Sequence, residues 1–294
     1  MAETPDGNTQ TVLLTGATGF IGKRLSPRLM REGFTVRPFS RSYGQEILNR
    51  DSFHPFLLEP ISAVIHLAGI TYVPDSWAKS DAFYAINTLG TQHALEFCHM
   101  SGARMIYVSA YVYGVPAYLP IDESHPVAPN NPYAHSKWLG EELCRFYARH
   151  KGVDVVIFRP FNLFGPGQDD RFLIPTILRQ AKSGEQITVR DDSPKRDYIH
   201  VDDFVDACVL SLGRKERFNI FNVGSGKSIS VREIIDLVSK HSNDGVRFVS
   251  LGETRPNEIM DTVADCAAIR TALCWSPKST LDDFVKEELG CVSC

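Results

Sequence analysis

A buried strand, a glycine-rich turn and an amphipathic helix follow one another near the N-terminus, and this series restricts the fold more than any other feature. Thr11–Thr15 (TVLLT) has the continuous apolar character of a strand that is covered on both faces. Residues 16–22 (GATGFIG) then place three glycines at GxxGxxG spacing, and Phe20–Arg31 carries apolar side chains four residues apart. The order strand, glycines, helix predicts a dinucleotide-binding turn that opens a parallel sheet.

Further predicted strands and helices alternate through the first half of the chain. Strands are predicted at residues 34–39, 63–67, 105–109 and 153–158, and long helices at residues 79–100 and 134–150. This alternation predicts an α/β fold, a Rossmann-type doubly wound parallel sheet with helices on both faces. One more strand is expected after residues 34–39, and residues 46–48 are the best candidate for it.

The pattern changes after Arg159 and Pro160. Residues 161–168 (FNLFGPGQ) are rich in turn formers, and shorter helices and strands follow them. Helices are predicted at residues 174–183, 231–241 and 281–288, and another follows residues 196–203 and ends at about residue 212. Strands are predicted at residues 186–190 and 218–223. We therefore expect a Rossmann domain of residues 1–165 with about 196–225, and a smaller C-terminal α/β substrate lobe of about 166–195 and 226–294.

Composition excludes several classes of protein. The 294 residues include 31 Lys+Arg and 35 Asp+Glu, with 43% apolar residues, which disfavours disorder and nucleic-acid binding. No apolar run approaches the ~18 residues of a membrane span, and the polar N-terminus lacks a signal sequence. The 7 cysteines do not suggest a disulfide framework, and Cys291 and Cys294 lack the second pair that a metal site needs. A cytoplasmic protein without a metal is expected.

The end of the second predicted strand indicates which dinucleotide binds. An acidic residue at this point binds the ribose hydroxyls of NAD, but this chain has Ser40 and Arg41 there. Nothing would repel a 2′-phosphate, and the Arg41 guanidinium could bind one with two hydrogen bonds. NADP(H) is therefore favoured over NAD(H), the alternative being that Arg41 only stacks on adenine.

A tyrosine and a lysine at helical spacing form the candidate catalytic pair. Tyr133 and Lys137 are four residues apart, so the phenol and the ammonium lie on one face of the predicted helix. A nearby positive charge is expected to lower the pKa of Tyr133, which suits proton exchange with a hydroxyl or a ketone. Ser109 ends a predicted strand at the sheet edge where ligands bind in such folds.

Several motifs together carry a family resemblance. In the first half they are residues 16–22, residues 66–69 (HLAG), Asn87, residues 109–114 (SAYVYG) and the Tyr133/Lys137 pair. In the second half they are residues 159–162 (RPFN), 165–167 (GPG), 196–203 (RDYIHVDD), 222–224 (NVG) and 255–256 (RP). With these motifs the chain resembles the extended short-chain dehydrogenase/reductases, the NAD-dependent epimerase/dehydratase family, over about residues 11–285.

The resemblance implies roles for the matched residues. Tyr133 would be the general acid/base, Ser109 would hydrogen-bond the substrate oxygen, and Lys137 would hold the nicotinamide ribose. Residues along the dinucleotide would be Gly16, Thr18, Gly19, Phe20, Ile21, Gly22, Ser40, Arg41, Asp51, Ser52, Leu67, Ala68, Gly69, Asn87, Tyr133, Lys137 and Pro160. A nucleotide-diphosphate sugar would be held by Ser109, Tyr111, Asn162, Arg196 and Arg255. The alternative for each arginine is a surface ion pair.

The reaction narrows to hydride transfer at one carbon, expected to be C4 of a hexose. Ala110 and Tyr111 stand where the 4,6-dehydratases of this family have Asp and Glu, so dehydration is disfavoured. Two alternatives use the same site: an NADPH-dependent reductase of 4-keto-sugar nucleotides, slightly favoured, and an NDP-sugar 4-epimerase. A catalytically idle NAD(P)-binding sensor is a third, less favoured alternative.

Four other polar residues are expected to have structural roles. The family resemblance also suggests that two copies of the chain associate. His66 and His200 lie in predicted strands, and Asp202 and Asp203 are expected to begin a helix, where their charge suits the helix dipole. The two long helices at residues 79–100 and 134–150 each carry an apolar face. Resemblance to the family suggests that they form a homodimer contact.

Overall fold

A computed structural model describes residues 10–214, 217–243, 245–254 and 258–290. The strands are β1 (Thr11–Thr15), β2 (Thr35–Phe39), β3 (Ile61–His66), β4 (Arg104–Val108), β5 (Val155–Pro160), β6 (Asn162–Phe164), β7 (Ile187–Val189), β8 (Lys195–His200), β9 (Phe218–Val223), β10 (Ser228–Ser230) and β11 (Phe248–Ser250). The α-helices are α1 (Phe20–Arg31), α2 (Val73–Ala78), α3 (Ser80–Tyr84), α4 (Gly90–Ser101), α5 (Pro132–His150), α6 (Leu173–Lys182), α7 (Val201–Leu212), α8 (Val231–His241), α9 (Ala267–Leu273) and α10 (Leu281–Gly290).

Six strands form one parallel sheet in the order β2-β1-β3-β4-β5-β9. Every neighbouring pair is parallel, as the continuous apolar strands predicted. One apolar core packs on one face of this sheet with α1 and α7, and a second packs on the other face with α4 and α5. The Rossmann-type α/β fold is confirmed, and the carboxyl ends of its strands meet at one edge.

The predicted strand at residues 46–48 is wrong. The chain instead turns at these residues and then forms a 3₁₀ helix, Arg50–Leu58. Pro55 in this helix has no N–H group, so this segment is also poorly suited to pair as a strand. Phe53 and Phe56 of this helix are buried, and the Phe53 ring stacks on Phe39 of β2 with centroids 4.5 Å apart. Aromatic packing therefore covers the sheet where a strand was expected.

The predicted long helix at residues 79–100 is interrupted. Lys79 has φ −129° and ψ 38°, which separates α2 from α3. A π-helical segment, Ala85–Leu89, then joins α3 to α4. Such a segment changes which side chains face inward, and here it buries Asn87 completely.

Two small sheets and a third apolar core lie beside the large sheet. The small sheets have the orders β10-β8-β6 and β11-β7. The third core includes side chains of α6, α8 and α10, which the sequence predicted as helices. The strands β6, β8, β10 and β11 have three to six residues each and were harder to predict. Short strands such as these give little hydrophobic periodicity.

Candidate active site

The turn between β1 and α1 is shaped for a ligand with phosphate groups. A Cβ on Gly22 would lie 2.4 Å from the Gly16 oxygen, so only glycine lets α1 begin this close to the turn. Gly16 has φ +69°, and a Cβ there would lie 2.8 Å from the Ala68 nitrogen. Gly19, the N-cap of α1, offers no side-chain cap, which leaves the first N–H groups of the helix for an anion.

The residues that follow β2 offer one buried hydroxyl and one exposed cation. The Ser40 hydroxyl is buried and has no hydrogen-bond partner among the described residues. Arg41 begins a short 3₁₀ turn, is exposed, and forms no ion pair within the described part of the chain. Both groups fit the ribose end of a dinucleotide whose pyrophosphate lies on the glycine turn.

Asn87 ties together two segments at the strand ends. Its side chain exchanges two hydrogen bonds of 3.0 Å with the backbone of Ile70, and it donates another of 3.0 Å to the Ser136 hydroxyl. A Cβ on Gly69 would lie 2.9 Å from the Asn87 Oδ1 atom. Asn87 thus shapes the wall formed by residues 67–70, instead of presenting a free amide.

His66 is a buried neutral residue, as the sequence indicated. Its ring nitrogens contact the hydroxyls of Thr15 at 2.7 Å and Thr91 at 3.1 Å. Burial, and then the positive charge of Lys137, lower the pKa of His66 to about 3. A histidine with both nitrogens used and so low a pKa is suited to a structural role.

Tyr133 and Lys137 lie on the inner face of α5. The Lys137 ammonium is 4.4 Å from the centre of the Tyr107 ring, and burial lowers the pKa of Lys137 to about 8. The Tyr133 ring meets Phe83 edge-on at 6.2 Å, and its hydroxyl has no hydrogen-bond partner among the described residues. Burial raises the pKa of Tyr133, so the predicted lowering by Lys137 is wrong for the protein alone.

Ser109 reaches a buried ion pair that the sequence analysis missed. Its hydroxyl donates to the Glu141 carboxylate at 2.6 Å, and the Arg159 guanidinium donates to that carboxylate at 2.6 Å. Burial alone would lower the pKa of Arg159, but the hydrogen bonds and charge of Glu141 raise it. One signal in the sequence was available, because Tyr133, Lys137 and Glu141 follow one another at four-residue spacing and share one helical face.

Three of the residues predicted to hold a substrate, Tyr111, Asn162 and Arg196, form hydrogen bonds with neighbouring segments of the protein. The Asn162 amide donates to the Asp197 carbonyl at 3.2 Å, and the Tyr111 hydroxyl donates to the Gly114 carbonyl at 2.7 Å. Arg196 is tied to the Glu258 carboxylate and to the Ile259 carbonyl. Burial raises the pKa of Tyr111, while the charge of Arg196 acts in the opposite direction. Arg255, Cys291 and Cys294 fall outside the described residues.

Comparison with known proteins identifies the family. The model of the NAD-dependent epimerase/dehydratase family matches residues 12–224. The chain belongs to this family. It is 37% identical to the GDP-6-deoxy-D-mannose reductase of Pseudomonas aeruginosa over 96% of this chain and 97% of that protein. It is 30% identical to a UDP-glucose 4-epimerase of Lactobacillus helveticus over 93% of this chain and 94% of that protein.

A solved structure of the same family shares this fold. It is that of RMD from Pseudomonas aeruginosa complexed with NADPH, with a TM-score of 0.88 and 33% sequence identity over 96% of this chain and 98% of that chain. Together with the glycine turn, the family match makes the large sheet an NAD(P)-binding domain. In the described part of the chain, no helix combines the length and the apolar character needed to span a bilayer.

The remaining residues predicted to bind the dinucleotide lie in several different elements. Asp51 is in the first turn of the 3₁₀ helix and is exposed, and the hydroxyl of its neighbour Ser52 accepts a hydrogen bond from the Glu46 N–H at 3.1 Å. Thr18 is exposed in the glycine turn, and Pro160 is the buried last residue of β5. Phe20 and Ile21 form the first turn of α1.

Proposed function

We propose that this protein reduces the 4-keto group of a nucleotide-activated 6-deoxyhexose with NADPH. The observation that carries the proposal is the end of β2, where an exposed arginine that forms no ion pair with any described residue replaces the carboxylate that NAD favours. The likeness to the GDP-6-deoxy-D-mannose reductase favours a GDP-linked sugar. The likeness to the UDP-glucose 4-epimerase keeps epimerisation at C4 as the second candidate.

The structure fits an NADP(H) molecule that extends from the glycine turn to Lys137. Gly16, Gly19 and Gly22 would hold the pyrophosphate, because a Cβ on each would come within 3.2 Å of backbone atoms. Ser40 and Arg41 would hold the 2′-phosphate, since neither the Ser40 hydroxyl nor the Arg41 guanidinium is paired with a residue that the structure describes. When bound, the dinucleotide supplies the hydride that C4 of the sugar accepts.

Tyr133 would supply the proton for the C4 oxygen. Its hydroxyl is free of protein partners within the described residues, so it can turn toward a substrate. Lys137 carries a positive charge below a pH of about 8, and that charge would stabilise the phenolate that remains after proton transfer. Ser109 would contact the same oxygen from the end of β4.

The small lobe would select the nucleotide and the sugar. Asn162, Tyr111 and Arg196 would face the substrate from the side of this lobe, and Arg196 would exchange Glu258 for the diphosphate. Arg255 would be a further ligand of the diphosphate. We assign residues 1–165 with about 196–225 to the dinucleotide domain, and about 166–195 and 226–294 to this substrate lobe.

Two assays separate the reductase from the epimerase. Purified protein is given NADPH and a GDP-linked 4-keto-6-deoxyhexose, and separately UDP-glucose without added dinucleotide. The reductase predicts stoichiometric oxidation of NADPH and no formation of UDP-galactose. Interconversion of the UDP-hexoses without added dinucleotide would instead establish the epimerase.

Tyr133→Phe separates an enzyme from an idle binding protein. Removal of the proton donor is expected to lower turnover by at least ~100-fold and to leave the affinity for NADPH nearly unchanged. A protein without turnover on either sugar, whose only activity is NADPH binding, would be a sensor and not a reductase.

A homodimer in the cytoplasm is the proposed state of the protein. Phe146 on α5 is 52% exposed and Leu89 beside α4 is 43% exposed, so an apolar strip is left open on these helices. An isologous contact between two copies would cover it.

The described cysteines are free thiols, which favours a reducing compartment; they are Cys98, Cys144, Cys208, Cys266 and Cys274.

A further inference from the structure

The Lys137 ammonium is buried without an anionic partner. Lys137 is 6% exposed, and among the described residues its ammonium forms neither an ion pair nor a hydrogen bond. Glu141, one helical turn away on α5, pairs with Arg159 at 2.6 Å instead. Removing a charge from water is costly unless another group compensates for the lost hydration. The group that compensates here is an aromatic ring.

The Tyr107 side chain contacts Lys137 at both ends. The centre of its ring lies 4.4 Å from the Lys137 ammonium, within the distance at which the negative face of an aromatic ring attracts a cation. Its hydroxyl donates a hydrogen bond of 3.1 Å to the Lys137 backbone carbonyl. Tyr107 therefore contacts both the backbone from which the lysine side chain extends and the charge at its tip.

The Tyr107 ring is itself fixed in the sheet. It is 0% exposed on β4, and the His66 ring on the neighbouring strand β3 stacks beside it with centroids 6.0 Å apart. The Tyr107 hydroxyl would lie only 2.2 Å from a Cβ at Gly140, so α5 packs directly on this side chain. A ring held from both sides can fix the position of a flexible lysine side chain.

We propose that Tyr107 is a positioning residue that holds the Lys137 ammonium through the face of its ring and leaves N–H donors for the nicotinamide ribose. An ammonium has three N–H donors, and a ring face attracts its charge without the strong acceptor atoms of a carboxylate. Lys137 can then donate to ribose hydroxyls while the ring holds it. The part of the proposal that concerns the ribose rests on the proposed function.

A tyrosine that only fills space is the alternative explanation. Tyr107 belongs to the apolar core that α4 and α5 cover, and its distance from the ammonium would then be incidental. The two explanations differ in the property of the ring that matters. Filling a core depends on the shape of the ring, whereas attraction of a cation depends on the negative charge of its face.

The titration of Lys137 reports the strength of this contact. Burial lowers the pKa of Lys137 to about 8, and a weaker attraction by the ring would lower it further, because the ring stabilises only the charged form. Burial also lowers the pKa of His66 and raises the pKa values of Tyr107, Tyr133 and Cys144, which moves them away from this range. The titratable groups around the ammonium are His66 on β3, Tyr107 on β4, and Tyr133, Glu141 and Cys144 on α5.

Ring fluorination at position 107 separates the two explanations. The series consists of Tyr107→Phe and of the same position carrying phenylalanine with one, two or three ring fluorines. Fluorine withdraws electrons from the face of the ring and changes its shape little, so the attraction weakens in steps while the packing stays nearly constant. Because Tyr107→Phe is the reference, the loss of the hydroxyl hydrogen bond is common to the whole series.

NMR of the ligand-free protein with isotope-labelled lysines measures the titration directly. The Cε resonance of Lys137, assigned by its absence in Lys137→Met, is followed from about pH 6 to pH 10, on both sides of the Lys137 pKa. The acid dissociation constant of Lys137 should rise with each fluorine, by roughly 2- to 30-fold over the series. A constant that stays the same across the series would overturn the contact.

The pH dependence of NADPH binding tests the positioning role. The affinity is expected to fall as Lys137 loses its proton, so the pH at which the Kd begins to rise should move down in step with the NMR titration. A graded NMR titration beside an NADPH profile that does not move would overturn the positioning role. Profiles that move together in a protein that reduces no 4-keto sugar would reject the proposed function and support the role of Tyr107.

The same fluorinated series at Phe97 is the matched control. Phe97 is 0% exposed in the same apolar core, and its ring meets the Phe53 ring at 5.5 Å. Fluorination at Phe97 should leave the Lys137 titration and the NADPH profile within error of the unsubstituted protein. A change equal to that at position 107 would show a general effect of fluorine on the core and would overturn the proposal.

Discussion

Arg41 is the single residue that we propose selects NADP(H) over NAD(H). Its guanidinium is exposed and unpaired among the described residues, so a 2′-phosphate would gain a charge-assisted contact without breaking another. We expect Arg41→Ala to weaken NADPH binding roughly 10- to 150-fold, in line with ~1.5–3 kcal/mol for a hydrogen bond to a charged group. NADH binding should change little.

Isothermal titration with both dinucleotides measures this effect. Arg149→Ala, on the exposed last turn of α5, is the control and should alter neither affinity. Wild-type protein that binds NADH more tightly than NADPH would contradict the assignment.

Lys137 makes the stability of the ligand-free protein depend on pH. Burial lowers its pKa from 10.5 to about 8, so the folded state binds its proton less tightly than the unfolded state. Stability therefore rises as the pH passes from about 8 to about 10.5, by an amount on the order of 3 kcal/mol from this group. Below pH 8 the penalty for burying the charge is fully present.

Urea unfolding of wild type and Lys137→Met across this pH range isolates the contribution of the Lys137 charge to the free energy of unfolding. The free energy of unfolding of Lys137→Met should lack this rise, so its advantage over wild type is greatest near pH 7 and shrinks toward pH 10.5. Lys151→Met, on the exposed end of α5, should follow wild type. Parallel curves for wild type and Lys137→Met would contradict the buried charge.

Individual residues also show how far sequence reasoning reaches. The spacing of Tyr133 and Lys137 predicted their shared helical face, because helical geometry is local. The contact between Ser109 and Glu141 joins residues 32 positions apart, and the tie between Arg196 and Glu258 joins residues 62 apart. Such partners depend on tertiary packing. The four-residue spacing places Glu141 on the helical face of Tyr133 and Lys137, but it does not identify Ser109 as the partner of Glu141.

Gly140 sets the distance between α5 and β4 at the scale of elements. A Cβ at this position would lie 2.2 Å from the Tyr107 hydroxyl, which itself donates to the Lys137 carbonyl at 3.1 Å. Tyr107 is fully buried in the sheet and cannot swing away. We expect Gly140→Ala to destabilise the protein by about 1–3 kcal/mol and to displace Tyr133 and Lys137.

Adding Tyr107→Phe to the Gly140→Ala variant tests whether the contact with the Tyr107 hydroxyl causes the destabilisation. Removal of the hydroxyl relieves the closest contact, so the double variant should recover part of the lost Tm. Gly213→Ala is the control, because the nearest atom to a Cβ there is 3.8 Å away and φ is −78°. If Tyr107→Phe and Gly140→Ala lower the Tm additively, the contact is not the cause.

The sequence predicted the bounds of helices and strands best where a hydrophobic pattern continues over many neighbouring residues. The bounds of β1, α1, β9 and α8 agree with the prediction, and α5 begins two residues earlier. The sequence did not predict the 3₁₀ helix at residues 50–58, because this short segment has no clear hydrophobic periodicity. Its conformation depends on the packing of Phe53 and Phe56 against distant aromatic rings, those of Phe39 and Phe97.

The association of two copies belongs to the scale of the whole molecule. If α4 and α5 form the contact, the protein should sediment at micromolar concentration with twice its 32.8 kDa mass. Phe146→Glu places a charge on the open strip and should yield monomers, since a buried unpaired charge costs several kcal/mol. Leu58→Glu, at a residue 92% exposed in the 3₁₀ helix, should remain dimeric. A monomeric wild type would reject the dimer.

A crystal structure of the protein with NADPH bound would show whether Tyr133 and Lys137 meet the nicotinamide. We expect the pyrophosphate on the turn at residues 16–22, the 2′-phosphate at Arg41, and the nicotinamide ribose within hydrogen-bond distance of Tyr133 and Lys137. A dinucleotide bound elsewhere, or a nicotinamide that lies away from these two side chains, would contradict this expectation.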